Sequence, residues 1–149
     1  MDTMKSSSHE QREIEIYVFK KLEEMLQVSL QSNPKVILTE GVHIEPDFYS
    51  EEEKIVGEIF AHHGKLKVGQ SHKVAQDILK MLLLDKMQGV TYRKYLVVCD
   101  KEIERALTGK SALAESIRQF DVQLVCIVLP EDLRDKILAA QNRQVMVNR

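Results

Sequence analysis

Apolar positions along this chain follow two periods, and the switches between them mark out the elements. Ile14, Val18, Leu22, Met25 and Leu26 recur at three- and four-residue spacing, which predicts a helix over 9–30 with one face laid on a sheet. The serines at 6–8 supply its N-caps, and Asn33-Pro34 ends it. Residues 35–40 (KVILTE) predict a first strand, broken at Gly41. From 42 to 49 the period falls to two. Val42, Ile44, Pro46 and Phe48 share one face, and His43, Glu45, Asp47 and Tyr49 the other, so a second strand is expected there. The charged run Glu51-Glu52-Glu53-Lys54 reads as an exposed turn, and residues 55–62 (IVGEIFAH) as a third strand.

The helical period returns over 70–87, where Val74, Ile78, Met81, Leu82 and Leu83 are in phase and Gly89 supplies the stop. Two continuous apolar runs, 92–99 and 123–129, have the pattern of strands buried on both faces at the centre of a sheet. A helix over 111–120 separates them, and another over 131–140 follows Pro130 and two acids. Asp100 is read as the start of a turn. The resulting order, α β β β α β α β α, describes an α/β protein with a mixed central sheet flanked by helices.

Composition narrows this picture in three ways. With 149 residues, 44% hydrophobic and 30% charged, the chain suits one ordinary domain spanning 1–149. A formal charge of −2 excludes nucleic-acid binding by net charge alone, so any DNA contact needs a local basic patch. Cys99 and Cys126 each lie inside an apolar run, as reduced core thiols do in a cytoplasmic protein. The first twelve residues lack the apolar stretch of a signal peptide, and no run of eighteen apolar residues is available to span a membrane.

The chemistry lies in the hairpin joining the second and third strands. Whether its turn has two residues (Glu52-Glu53) or four (Glu51 to Lys54), Asp47 falls directly opposite Glu58. Opposed residues share a face with Cβ atoms about 4.5–5.5 Å apart, close enough for both carboxylates to reach one hard cation. Two such acids repel unless neutralised, and Mg²⁺ or Mn²⁺ answers that need while activating water for attack on a phosphodiester.

Glu45-Pro46-Asp47, an interval of ten residues, and then Glu58-Ile59-Phe60-Ala61 resemble the PD-(D/E)xK, or restriction-endonuclease-like, nuclease superfamily. The order helix, three-stranded meander, helix, strand over 9–100 is similar to that family's core, and Gly69-Gln70-Ser71-His72-Lys73 is similar to a glutamine-bearing helix in several of its branches. The resemblance implies a Mg²⁺-dependent DNA endonuclease with Asp47 and Glu58 as catalytic metal ligands and Gln70 as a positioning group. It also implies an activating lysine two residues after the acid, where this chain has Phe60. Lys73, on the face of the helix shared with Gln70, and Lys67, in the preceding connection, are the two replacements. A glutamate from the first helix is a further expected metal ligand. Glu15 and Glu10 lie nearer the apolar stripe than Glu13, and Glu15 is the choice. Lys65, Lys67, His72, Lys73 and Lys80 supply phosphate contacts, and a homodimer would present two sites to the two strands of a duplex. Phe60 keeps open a lapsed copy of the fold that binds protein or nucleic acid without cleaving it, and a regulatory α/β domain unrelated to nucleases is a third reading.

Other motifs carry less. His62 and His63 are adjacent on a strand, point to opposite faces, and read as a solvated strand end rather than a zinc site. Gly109-Lys110-Ser111 lacks the earlier glycine of a phosphate loop and reads as a helix N-cap.

Overall fold

The computed structural model describes the backbone of residues 2–147 and the side chains of 9–146. Its elements in order are α1 (Asp2–Leu26), β1 (Gln31–Ser32), β2 (Val36–Thr39), β3 (Val42–Ile44), β4 (Phe48–Ser50), β5 (Ile55–Phe60), α2 (Val68–Gln88), β6 (Arg93–Val98), α3 (Lys101–Leu107), α4 (Ala112–Gln119), β7 (Val122–Cys126) and α5 (Glu131–Val147). Five strands form the main sheet in the order β1-β4-β5-β6-β7, antiparallel from β1 to β5 and parallel from β5 to β7. The two parallel steps each need a crossover, supplied by α2 and by the α3–α4 pair.

Helices cover both faces. On one, Ile14, Val18 and Leu22 of α1 pack with Leu133 and Ile137 of α5 over Phe48, Ile55, Tyr95 and Val97. On the other, Val74, Ile78 and Met81 of α2, Ile103 of α3 and Ile117 of α4 cover Val56, Phe60, Leu96 and Val98. Ile14, Val18 and Leu22 are fully buried, each worth about 1.5–3 kcal/mol relative to exposure. Gly57 lies opposite Phe48, and a Cβ there would come 2.0 Å from the Phe48 ring. Only glycine therefore admits the ring that closes this end of the hairpin, one residue before Glu58.

Several expectations need correcting. The second strand does not run unbroken over 42–49. Pro46 lacks the N–H a ladder needs, so β3 ends at Ile44 and pairs with β2 in a separate two-stranded sheet, while β4 joins the main sheet. The expected meander is thus split, and the short β1 occupies the edge beside β4. The α1 backbone is already helical from Asp2, which puts the serines at 6–8 inside the helix rather than at its cap, and it stops at Leu26, before Gln27 in the left-handed region (φ 55°). Met25 is exposed, and on α2 the buried position is Leu84 rather than Leu83. β6 is central, but β7 is an edge strand and only partly buried. Asp100 begins a helix instead of a turn, its carboxylate accepting from the Glu102 N–H to cap α3. Ser111 caps α4 as its sequence implies. No helix among the described residues is long and apolar enough to cross a membrane.

Candidate functional site

The hairpin turn takes four residues, 51–54, and pairs Ser50 with Ile55, Tyr49 with Val56 and Phe48 with Gly57. One step further along this register Asp47 faces Glu58. The backbone ladder has ended there, and the two carboxylates replace it. The Asp47 N–H donates to Glu58 Oε2 at 3.0 Å, and the Ile59 N–H donates to Asp47 Oδ2 at 2.7 Å. Each acid is thereby fixed by the backbone of the other's strand.

Glu58 is only 7% exposed. Burial pushes its carboxyl up to about 8, helped by the charges of Asp47 and Asp77 and opposed by the Asp47 N–H bond and by Lys73. Asp47 is also raised, again chiefly by burial, with the Ile59 N–H bond pulling the other way and Asp77 adding to the rise. Two carboxylates in one desolvated place resist ionising together.

Asp77 belongs to this site although no sequence motif marks it. It is 3% exposed, on the sheet-facing side of α2 between Val74 and Ile78, and its charge acts on both hairpin acids. A signal was available: positions 74, 77, 78 and 81 form one helical stripe, and an acid in an otherwise apolar stripe is a buried charge in need of a partner. That partner is Lys73, one turn earlier, whose Nζ donates to Asp77 Oδ1 and Oδ2 at 2.9 and 3.0 Å. Lys80 approaches from the other side at 3.9 Å. Burial alone would lower the Lys73 ammonium, but the hydrogen bond and charge of Asp77, with Glu58 and Asp47 behind it, outweigh this and raise it.

The two candidate lysines therefore differ in placement. Lys73 acts electrostatically on Asp47 and Glu58, whereas Lys67 is exposed at the N-cap of α2 and acts on His62. Gln70 Oε1 accepts the Lys67 N–H at 2.9 Å and so caps α2. Phe60, where the motif would have lysine, is 5% exposed and packed in the core under α2. Glu15 of α1 lines a cleft with Asp47, and its carboxyl is raised by burial and by the Asp47 charge. His62 and His63 are half-buried rather than solvated. The His62 ring packs 4.7 Å from Phe60, and the His63 N–H donates to Gln141 Oε1.

The hairpin donors are carboxylate oxygens, the set preferred by a hard cation. Among the described residues no three His, Cys, Asp or Glu side chains gather closely enough to hold an ion by themselves. Two carboxylates with the rest of the shell water is a usual arrangement for Mg²⁺, so the pair fits that ion better than one needing a complete protein cage. In comparisons with family models, with curated proteins and with solved structures, nothing matches this chain.

Proposed function

We propose that this chain is a Mg²⁺-dependent phosphodiesterase acting on DNA, built on a restriction-endonuclease-like core of the PD-(D/E)xK type. The observation that carries the reading is the Asp47–Glu58 pair, Glu58 buried and Asp47 partly so, with a lysine, Lys73, acting on both acids from the facing helix. Bound Mg²⁺ or Mn²⁺ supplies an acidified water and Lewis acidity toward a phosphate oxygen. Asp47 and Glu58 present the ligand oxygens, and Glu15 adds a third acid at the edge of the cleft. Lys73 replaces the lysine missing at Phe60 and offsets charge on the phosphate. Gln70 positions Lys73 indirectly, by capping the first turn of the helix that carries it. Lys65, Lys67 and His72 are exposed beside this end of α2 and serve the DNA backbone as local positive charge. Two copies of the chain would address the two strands of a duplex.

Phe60 favours a second reading, a lapsed nuclease-like module that binds without cleaving. Calorimetric titration of Mg²⁺ and Mn²⁺ into wild type and Asp47→Ala separates the two. The enzyme reading expects metal heats in the wild type that disappear in the variant, and identical heats would support the lapsed module. In a DNA cleavage assay Glu58→Ala should abolish activity, and Lys73→Ala should lower it about 10²–10³-fold, the usual effect of removing one group that stabilises transition-state charge. Cleavage that survives Glu58→Ala would remove this site from consideration.

A further inference from the structure

Helix α1 carries two stripes. Ile14, Val18 and Leu22 face the core, while Arg12, Glu15, Ile16 and Phe19, at spacings of three, one and three, line a cleft of about 190 Å³ that reaches Asp47. Phe19 is partly buried and packs against the core from this side, but core packing does not account for Ile16, which is 52% exposed. The opposite wall is the bend after β1. There Asn33 is held in the left-handed region (φ 51°), and its N–H donates to the Asp47 carbonyl at 3.1 Å. Its side-chain amide donates to Ser32 Oγ, which places both polar side chains at the rim. The floor is Ile59, whose N–H holds the Asp47 carboxylate. Arg12 acts on Glu15 through its charge but makes no hydrogen bond or ion pair among the described residues, so its five-donor fork is uncommitted at the mouth.

This is a small cleft with an apolar and aromatic wall, a hydrogen-bonding rim and one guanidinium with no donor committed among the described residues, opening beside Asp47. It lies below the ~300–1,000 Å³ typical of sites for drug-sized ligands. It cannot admit a base pair, but a single planar ring with its sugar is of the right scale.

We infer that this cleft is a subsite for one unpaired nucleotide next to the scissile phosphate, its base or sugar against Ile16 and Phe19 and a neighbouring phosphate on Arg12. The inference rests on the phosphodiesterase reading and adds to it a substrate class, DNA with an unpaired nucleotide at the cut. Arg12 is needed because Glu15 and Asp47 would otherwise repel a phosphate at the mouth. Phe19 is suited to its place because ring stacking tolerates any base.

The test is chemical-shift mapping of the full chain with 2′-deoxyadenosine 5′-monophosphate in millimolar Mg²⁺, beside a Mg²⁺ titration without nucleotide. Expected are saturable shifts at Arg12, Ile16, Phe19 and Asn33. Arg12→Ala should weaken binding about tenfold through loss of a charge-assisted contact. Phe19→Leu, which keeps apolar bulk and removes the π face, should weaken it about fivefold or more. Ile16→Trp, at an exposed position where folding is not at stake, should fill the cleft and abolish binding. Nucleotide that leaves these resonances unmoved, or binds Ile16→Trp as it binds wild type, overturns the subsite. Mg²⁺ binding without nucleotide binding would leave the phosphodiesterase reading intact and remove the subsite. Nucleotide binding at the cleft without Mg²⁺ binding would do the reverse.

Discussion

Two ionic groups lie along α2, each with at least one buried anion or cation between the helix and the main sheet. Near its C-terminal end Asp85 pairs with Lys94, which rises from β6 on the side that Val56 faces. Asp85 also accepts the Tyr92 N–H at 2.8 Å, and Lys94 donates to the Tyr92 carbonyl at 3.1 Å. One anion meets one cation and the backbone takes up the remaining valences. Toward the N-terminal half Asp77 acts by its charge on the paired Asp47 and Glu58, and the lysines acting on them, Lys73 and Lys80, have side chains 57% and 44% exposed. Charge is balanced inside the protein at the first group. At the second it is balanced from the solvent side, where screening is strong. A closed pair ties a helix to a strand. An excess of buried anions disfavours its own ionised form and is relieved by an added cation, which is how a structural pair and a ligand site can be told apart.

The largest expected effect breaks the balanced end. Lys94→Ala removes a buried cation and leaves the partly buried Asp85 carboxylate without it, and should cost about 3 kcal/mol in urea unfolding. The same change should leave Mg²⁺ binding in the surviving folded fraction close to wild type, because Lys94 does not act on the hairpin acids. If the variant unfolded with wild-type stability, the Asp85–Lys94 pair would lose its structural role and the contrast would collapse.

The second effect has the opposite sign. The Glu58 carboxyl is raised from an unfolded value near 4.5 to about 8, so between these limits the folded state holds a proton that the unfolded state has released. Stability must therefore fall as pH rises from about 4.5 to about 8, and the full penalty persists above that. Glu58→Gln removes the titration, and its unfolding free energy should change far less across this window. At pH 9 the variant should exceed wild type by about 2 kcal/mol or more, since each tenfold change in proton affinity is worth ~1.4 kcal/mol. Millimolar Mg²⁺ should close part of that gap by stabilising wild type alone. A wild type whose stability is level from pH 5 to 9 would show that the acids are not in conflict.

How much of this was legible in the sequence depends on the kind of constraint. The facing of Asp47 and Glu58 is fixed by the centre of the turn, since loops of two or four residues centred on Glu52-Glu53 give the same register, and the four-residue turn realises it. The helices with clean periodicity follow for the same reason. Strand partners were less accessible. Pro46 splits an alternating run into strands belonging to two sheets, and alternation alone does not say where a ladder stops. The apolar runs at β6 and β7 read alike, yet only β6 has a strand on each side, and nothing local to a run encodes its neighbours. Helix α3 had signals that went unused, with Asp100 as cap and Ile103 and Leu107 one turn apart. Asp77 belongs to no recognised motif, although its distance of four from Lys73 allowed the pairing to be foreseen.

The smallest effect on stability is the most informative about the site. Asp77→Asn gives up the charged hydrogen bonds from Lys73, worth little at a half-exposed lysine, and at the same time removes one of the three crowded anions. The two changes oppose each other, so unfolding stability should move by less than about 1 kcal/mol. The chemical consequence should be larger. Without the Asp77 carboxylate the Lys73 ammonium loses the partner that fixes and raises it, and its amine should react faster with an acylating reagent, read by mass spectrometry at that one lysine. Cleavage should fall about tenfold or more through kcat with little change in KM, because positioning of a charge felt in the transition state is what has been lost. Asp77→Glu, which restores the charge, should recover the low reactivity of Lys73 more fully than Asn does. If Asp77→Asn leaves both the reactivity of Lys73 and the turnover unchanged, Asp77 and Lys73 are only a helix-surface pair, and the unbalanced group shrinks to the two hairpin acids.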